Sequence, residues 1–205
     1  MLIAGAGGHA LEVKEELERI NPSFKFIFFD EAGHKPDSPL SDFPLILEIA
    51  DLNLHLNQSP EFALGLGNPE IRERFMNLFE SMGGIYHPIH SKSSQVSPTA
   101  TGVFDALSFC FIGPNTQIGK GTLINSRAHI HHQVVVGDFC EIGPGAMLLG
   151  EVKIGKKCRI GAGAILLPGI SLGDEVTVGA GAVVTKNVGS KNKVIGVPAR
   201  NLENS

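Results

Sequence analysis

The C-terminal half of the chain repeats an aliphatic residue at every sixth position without a break. The thirteen members of this frame are Ile112, Ile118, Ile124, Ile130, Val136, Ile142, Leu148, Ile154, Ile160, Leu166, Leu172, Val178 and Val184. A helix has a period of about 3.6 residues and a strand a period of 2, so neither explains a strict period of six. A parallel β-helix does, because each hexapeptide supplies one short strand and one corner. The frame therefore predicts a β-helix with these residues pointing inward.

Three hexapeptides make one coil, so residues 18 apart are expected to stack at the spacing of about 4.8 Å between paired strands. A second series of small or β-branched residues follows each frame residue by four places and is also expected inside. The three cysteines, Cys110, Cys140 and Cys158, fall in this series and are expected as free core thiols. Val96 precedes Ile112 by less than one full coil, which predicts a shortened or distorted first coil.

Glycine directly follows the frame residue at eight corners, where we expect it to supply positive φ angles. These glycines are Gly113, Gly119, Gly137, Gly143, Gly155, Gly161, Gly173 and Gly179.

Composition places the chain among globular proteins and limits its partners. It has 205 residues, 42% hydrophobic and 19% charged, enough to bury a core. No run of about 18 apolar residues and no charged leader followed by an apolar stretch is present, so we expect a cytoplasmic protein without membrane insertion. A net charge of −4 argues against a general nucleic-acid binder.

The segment 1–84 reads as a small α/β, Rossmann-like domain. Leu2 to Ala4 predicts a strand, and the loop from Gly5 to Ala10 leads into a helix with an apolar stripe. Two further strands are predicted at 24–29 and 62–66, and a helix from Pro69 to about Met82 with Asn68 as its N-cap. The β-helix domain is expected over 85–205.

The glycine-rich loop fits G-x-G-x-x-A, a pattern in which bare N–H groups at a helix N-terminus can face phosphate. Gly5, Gly7 and Gly8 are therefore candidate nucleotide contacts, and Asp30, at the end of the second strand, a candidate acceptor for ribose or base. A single βαβ half favours a mononucleotide or nucleotide sugar over NAD. The alternative is that the glycines only turn the chain.

Four segments together resemble the family of sialic-acid O-acetyltransferases and nucleotide-sugar N-acetyltransferases. They are GAGGHA at 5–10, LGNPEIR at 66–72, the hexapeptide array and GVPAR at 196–200. The resemblance implies a left-handed β-helix, a homotrimer, acetyl-CoA as co-substrate in a groove between neighbouring subunits, and an N-terminal domain that holds the nucleotide. It also implies that His9 contacts sugar or phosphate.

The family's catalytic stretch, an Asn followed seven residues later by a His, is similar to the segment from Asn125 to His132. The resemblance implies that His132 is the general base and that Asn125 positions the acceptor or the base. The frame places His132 at an outward corner, with Gly150 stacked on it one coil later, where its N–H can meet a developing oxyanion. Residues 150–205 carry more basic than acidic residues, so Lys186 and Arg200 are candidate contacts for the phosphates of CoA.

Two residues depart from the family pattern. Gln133 stands where the family has an acidic residue that orients the histidine, and Glu141 stands where it has a second histidine. Glu141 is therefore a candidate for the orienting role; the alternatives are altered acceptor or CoA binding, or weak or lost activity.

His129, His131 and His132 cluster in a manner that suggests zinc, as in trimeric β-helix proteins that resemble carbonic anhydrases. Three ligands around one corner of one chain are too crowded for a single metal ion, so we expect no metal. The sequence thus predicts an acetyl-CoA-dependent acetyltransferase that modifies an amino group of a nucleotide-linked sugar. The alternatives are O-acetylation of sialic acid or a related sugar, and a catalytically impaired trimer that only binds a nucleotide sugar.

Overall fold

The computed structural model describes residues 1–33 and 38–202 and divides them into two compact units. The first unit covers Met1–Ile89, and the second begins at His90. The boundary expected after residue 84 falls before a strand, Ile85–Tyr86, that pairs with the sheet of the first unit. Among the described residues, no helix has both the length and the hydropathy needed to cross a bilayer.

The first unit is a parallel sheet with helices. Its elements in chain order are β1 (Leu2–Ala4), α1 (Gly8–Ile20), β2 (Ile27–Phe29), β3 (Leu45–Ile46), α2 (Ile49–Gln58), β4 (Glu61–Leu64), α3 (Pro69–Ser81) and β5 (Ile85–Tyr86). The strand order is β3-β2-β1-β4-β5, with every neighbouring pair parallel. The chain thus crosses from one side of β1 to the other between β3 and β4, which brings the loops after β1 and β4 side by side.

Local sequence explains the start of α3, whereas α1 starts without a side-chain cap. The Asn68 side chain accepts hydrogen bonds from the backbone N–H groups of Glu70 and Ile71, and Pro69 occupies the first turn, as predicted. Helix α1 starts at Gly8 without a capping side chain.

The second unit is a left-handed parallel β-helix. Its first nine strands are β6 (Gln95–Val96), β7 (Thr101–Gly102), β8 (Asp105–Ala106), β9 (Phe111–Ile112), β10 (Gln117–Ile118), β11 (Leu123–Ile124), β12 (His129–Ile130), β13 (Val135–Val136) and β14 (Glu141–Ile142). The chain continues through β15 (Met147–Leu148), β16 (Lys153–Ile154), β17 (Arg159–Ile160), β18 (Ile165–Leu166), β19 (Ser171–Leu172), β20 (Thr177–Val178), β21 (Val183–Val184), β22 (Lys193–Ile195) and β23 (Arg200–Asn201).

These strands form three sheets, which we name wall 1, wall 2 and wall 3. Wall 1 has the order β6-β9-β12-β15-β18-β21, wall 2 the order β7-β10-β13-β16-β19, and wall 3 the order β8-β11-β14-β17-β20-β22-β23. The chain passes from wall 1 to wall 2 to wall 3 in every coil. We call the corners that join walls 1 and 2 edge 1/2, and those that join walls 3 and 1 edge 3/1.

The stacking predicted from the frame is confirmed. Ile130 pairs with Ile112 and Leu148 on wall 1, and the same register of one full coil holds from β10 to β19 on wall 2 and from β8 to β20 on wall 3. All thirteen frame residues are buried. Val96 pairs with Ile112 although less than a full coil separates them, so the first coil is shortened as predicted. The last coil is shortened as well, since Val178 pairs with Val194.

Glycine is required at these corners for a different reason from the one expected. Positive φ falls three places after the frame residue, at Gln133 (58°) and Glu151 (64°) for instance, while the glycines directly after the frame residue keep negative or extended φ. A Cβ on Gly137 would lie 2.6 Å from the carbonyl carbon of Gly155. The expectation of positive φ was therefore wrong: these glycines are required because the backbones of successive coils approach closely.

The three cysteines are buried free thiols, as predicted. Cys158 stacks on Cys140, and its backbone N lies 3.4 Å from Cys140 Sγ. A side-chain hydrogen bond with Cys158, and then burial, raise the pKa of Cys140 well above that of an ordinary thiol.

Candidate functional site

The glycine-rich loop lies at the carboxyl end of β1, next to the loop that follows β4. Parallel α/β sheets bind ligands at this kind of crossover. Gly5 is buried with φ of 92°, and a Cβ there would meet Leu66 Cδ2 at 2.7 Å. Gly7 and Gly8 are exposed, and a Cβ on either would have no atom within 4 Å. The backbone at the N-terminus of α1 is thus open to a ligand.

Asp30 holds this loop in place. Its Oδ2 accepts a hydrogen bond from Ala6 N at 2.9 Å, and its Oδ1 accepts one from Ala32 N at 3.0 Å. His9, in the first turn of α1, places Nδ1 at 3.0 Å from Glu12 Oε2. Asp30 therefore orders the loop, and contacts of Asp30 and His9 with a nucleotide sugar stay predictions.

Arg72 supports the opposite loop, and sequence reasoning missed it. This residue of α3 is fully buried, and its Nη1 donates to the carbonyl oxygens of Leu64 at 3.2 Å and Leu66 at 2.6 Å. It thereby anchors the end of β4 beside the glycine-rich loop. An arginine at the third position after Pro69, on the helix face that carries Phe75 and Met76, was the only signal available.

His132 lies exposed on edge 1/2, directly against Gly150 of the next coil. A Cβ on Gly150 would lie 2.6 Å from His132 Cε1 and 2.7 Å from Nε2. The stacking expected from the frame is therefore present, and only a glycine leaves room for the ring.

Gln133 holds the other side of the ring. His132 Nδ1 lies 3.0 Å from Gln133 Oε1. With the amide oxygen as acceptor, Nδ1 carries the proton and Nε2 keeps its lone pair. Gln133 thus orients the imidazole as a base, although the amide brings no charge.

A groove of about 480 Å³ opens at this point of edge 1/2. It is lined by His131, His132, Leu149, Gly150, Glu151, Pro168 and Gly169. Gly150 lies at a corner, where its N–H has no strand partner, and no acceptor for it occurs among the described residues. A basic nitrogen and an unengaged N–H donor therefore share one groove, which is the pair that acyl transfer requires.

Asn125 lies on a different edge of the β-helix from His132 of the same chain. It is buried on edge 3/1, before β12, whereas His132 follows β12 on edge 1/2. The width of wall 1 separates the two residues.

Glu141 lies on wall 3 and pairs with its stacking neighbour. Its Oε2 accepts a hydrogen bond from Arg159 Nε at 2.8 Å. Glu141 therefore does not orient the His132 of its own chain. The orienting contact comes from Gln133, because a residue nine positions after His132 has already passed onto another wall.

Lys186 and Arg200 line one pocket of about 260 Å³, whose other residues include Val184, Asn187 and Asn201. Lys186 stacks above Pro168 on edge 1/2, because β18 pairs with β21 of the next full coil. The column His132, Gly150, Pro168, Lys186 therefore runs along one edge. Neither cation has an acidic partner within the described residues, so both suit a phosphate group.

The three neighbouring histidines do not converge on one point, although the ring centroids of His129 and His131 lie 6.3 Å apart. His129 points outward from wall 1, with its ring centroid 5.4 Å from that of Phe111, and His131 lines the groove. Within residues 1–33 and 38–202, no three His, Cys, Asp or Glu side chains are grouped so that they would hold a metal ion.

Three family models match the chain. The PglD N-terminal domain matches residues 1–79, the bacterial transferase hexapeptide (six repeats) residues 110–150, and the hexapeptide repeat of succinyl-transferase residues 151–186. The chain belongs to the hexapeptide-repeat acyltransferases. Together the three matches cover residues in both units of this acyltransferase.

One similar protein of known structure is the acetyltransferase domain of PglB from Neisseria gonorrhoeae, solved with acetyl coenzyme A. It is 27% identical with a TM-score of 0.88, and the match covers 98% of each chain. Another is GDP-perosamine N-acetyltransferase from Caulobacter crescentus, solved as a histidine variant with CoA and GDP-perosamine. It is 26% identical with a TM-score of 0.91, and the match covers 99% of this chain and 96% of the other. WeeI from Acinetobacter baumannii is 26% identical with a TM-score of 0.78, over 98% of each chain.

Proposed function

We propose that this acyltransferase transfers an acetyl group from acetyl-CoA to an amino group of a nucleotide-linked sugar, with His132 as general base. The observation that carries the proposal is the His132 ring, held by Gln133 at 3.0 Å and seated on Gly150 in an open groove. Two of the similar proteins are acetyltransferases solved with acetyl-CoA or CoA, and one of these also holds a GDP-linked amino sugar. A cytoplasmic location stays a prediction.

The residues of the groove supply both halves of the reaction. His132 Nε2 accepts the proton that the acceptor amine loses as its nitrogen bonds to the acetyl carbon. Gly150 N–H donates to the carbonyl oxygen, on which negative charge develops. His132 then returns the proton to the departing sulfur, so that the products are the amide and the free thiol of CoA.

The donor fits along edge 1/2. Acetyl-CoA supplies an activated thioester, and the basic pocket of Lys186 and Arg200 suits its phosphates. Lys186 lies three coils from His132, or roughly 14 Å at the spacing of paired strands. With the reacting carbonyl at Gly150 and the phosphates at Lys186, the extended arm of CoA that links them would follow this edge.

The acceptor's nucleotide is assigned to the first unit. Gly5 shapes the loop, and Gly7 and Gly8 leave the N-terminus of α1 uncovered for phosphate. His9 and Asp30 flank that opening.

A homotrimer would complete the site. The outward residues of wall 1 from β9 onward are mostly apolar, and they are Phe111, His129, Met147, Ile165 and Val183. If three copies turn wall 1 toward a common axis, edge 1/2 of each copy meets edge 3/1 of the next. That arrangement brings Asn125 of one copy to His132 of its neighbour, which a single chain cannot do.

The first experiment measures thiol release from acetyl-CoA with nucleotide-linked amino sugars and, in parallel, sialic acid. We expect release with an amino sugar and a loss of about a hundredfold or more in kcat/KM for His132→Ala, with unchanged thermal unfolding. Release with sialic acid alone would favour O-acetylation. Nucleotide-sugar binding without release from any acceptor, or full activity of His132→Ala, would contradict the proposal.

A further inference from the structure

Gln133 meets only half of what a histidine base needs. Its amide oxygen fixes the tautomer, but once His132 takes a proton the ring becomes a cation that a neutral amide does not stabilise by charge. The need for a negative charge rests on the proposed function, because it concerns the protonated state of the base.

Glu151 is placed to supply the missing charge. It comes one full coil after Gln133 and so stacks on it, next to Gly150. Its backbone N donates to the His132 carbonyl oxygen at 3.1 Å, and Glu151 lines the same groove as His132.

The electrostatic surroundings of His132 are simple. Of the residues that line the groove, His131 and His132 are the imidazoles, and Glu151 is the only carboxylate. Within the described residues Glu151 has no basic partner. Its charge is therefore available to the groove.

We propose that Gln133 and Glu151 together fill the two roles that one carboxylate would fill. Gln133 is the positioning residue, and Glu151 is the source of negative charge for the His132 imidazolium. The two roles come from adjacent coils, one above the other on edge 1/2.

The corners offer matched variants for a test. Gln133, Glu151 and Glu175 all occupy the left-handed corner position, with φ of 58°, 64° and 59°. Glutamate therefore fits this backbone at two other corners, so Gln133→Glu is expected to fold. Glu175 lies at a corner that joins walls 2 and 3, so Glu175→Gln removes the same charge away from the groove.

The first measurement follows the His132 ring by NMR in uniformly ¹³C,¹⁵N-histidine-labelled protein, with His132→Asn to assign its signals. In Glu151→Gln we expect the titration midpoint of His132 to fall by about half a pH unit, the scale of one charge a few ångströms away in a solvated groove. In Gln133→Glu it rises, and in the double variant the two shifts oppose each other. Glu175→Gln leaves it in place.

The same spectra test the positioning role. In the neutral ring of the unaltered protein we expect the proton on Nδ1, and in Gln133→Ala we expect the tautomer with the proton on Nε2 to increase. The inference would be overturned if the midpoint shifts equally in Glu151→Gln and Glu175→Gln, or if Gln133→Ala leaves the tautomer unchanged. Both outcomes count whether or not the protein shows enzymatic activity.

Kinetics then separate the inference from the proposed function. We expect Glu151→Gln to lower the plateau of kcat about fivefold and to move the acid limb of the pH profile to lower pH, with the KM for acetyl-CoA unchanged, while Glu175→Gln behaves as the unaltered protein. Gln133→Glu should restore the plateau in the Glu151→Gln background. Turnover that requires His132 but is indifferent to Glu151 would overturn only the inference. No turnover in the unaltered protein would overturn the proposed function, while the NMR shifts would still decide the electrostatic role of Glu151.

Discussion

At the residue scale the site depends on one missing Cβ. Gly150 leaves the space that the His132 ring occupies, so ring position, hydrogen bond to Gln133 and access to the groove are tied together. The sequence predicted that residues 132 and 150 stack, because the frame alone sets that register. It did not predict the bond from Nδ1 to Gln133, because side-chain torsions at an exposed corner are not encoded in a repeat.

Gly150→Ala should therefore displace the ring without unfolding the protein. The added Cβ would lie 2.6 Å from Cε1, and an exposed ring can swing away at little cost. We expect kcat/KM to fall about a hundredfold, the scale of a misplaced catalytic group, while the free energy of unfolding changes by less than about 1 kcal/mol. Kinetics and chemical denaturation check the two parts, and a loss of activity that merely tracks a loss of folded protein would contradict this explanation.

At the element scale, regular patterns were predictable and irregular ones were not. The strands of the β-helix follow from the frame, and α3 from Asn68 and Pro69. Strand β3 and helix α2 were missed because Leu47, Ile49 and Leu54 are apolar but exposed. The apolar residues of this stretch therefore do not fall on one face around the buried leucines of α2. The carboxyl ends of β1 and β4 were recognisable from their glycines, but the buried arginine of α3 that braces one of them was not.

The N-terminus of α1 gives a prediction for the acceptor site. Gly8→Leu places a side chain in empty space at the start of a helix, where the protein itself offers no clash and leucine is a better helix former than glycine. We expect the KM for the nucleotide sugar to rise at least about tenfold, because the side chain covers N–H groups that would face phosphate.

In the same variant the KM for acetyl-CoA should stay unchanged and the melting temperature should not fall. Glu18→Leu, near the other end of α1, is the matched control and should leave both KM values unchanged. Equal nucleotide-sugar affinity in Gly8→Leu and the unaltered protein would place the nucleotide somewhere other than this loop.

At the scale of the whole molecule, wall 1 differs from the other two. Its outward residues are mostly apolar, whereas wall 2 carries Gln117, Lys153 and Ser171, and wall 3 carries Glu141 and Arg159. The sequence contains this asymmetry, since every residue directly before the frame belongs to a known wall. Assembly itself was inferred from resemblance, because one chain does not display its partner.

Ile165→Glu should disrupt assembly. A carboxylate buried in an apolar contact costs several kcal/mol, so we expect the proposed trimer to dissociate and activity to be lost with it. Thr177→Glu, at the corresponding outward position of wall 3, is the control and should leave mass and activity unchanged. Light scattering coupled to size-exclusion chromatography checks the mass; a trimeric Ile165→Glu would assign the interface to another wall.

Because every full coil has the same height, distances along edge 1/2 change only in steps of one coil. Whole coils can be gained or lost between Gly150 and Lys186 with every wall kept in register, each moving the basic pocket by about 4.8 Å relative to the reacting groups. An insertion of a single amino acid in the same stretch would turn aliphatic side chains to solvent in every later coil. The shortened coils lie at the two ends of the β-helix, at Val96 to Ile112 and Val178 to Val194. Because the arm of CoA between thioester and phosphates has one length whatever acyl group it carries, homologues that use other acyl-CoA donors should keep the same number of coils in this stretch.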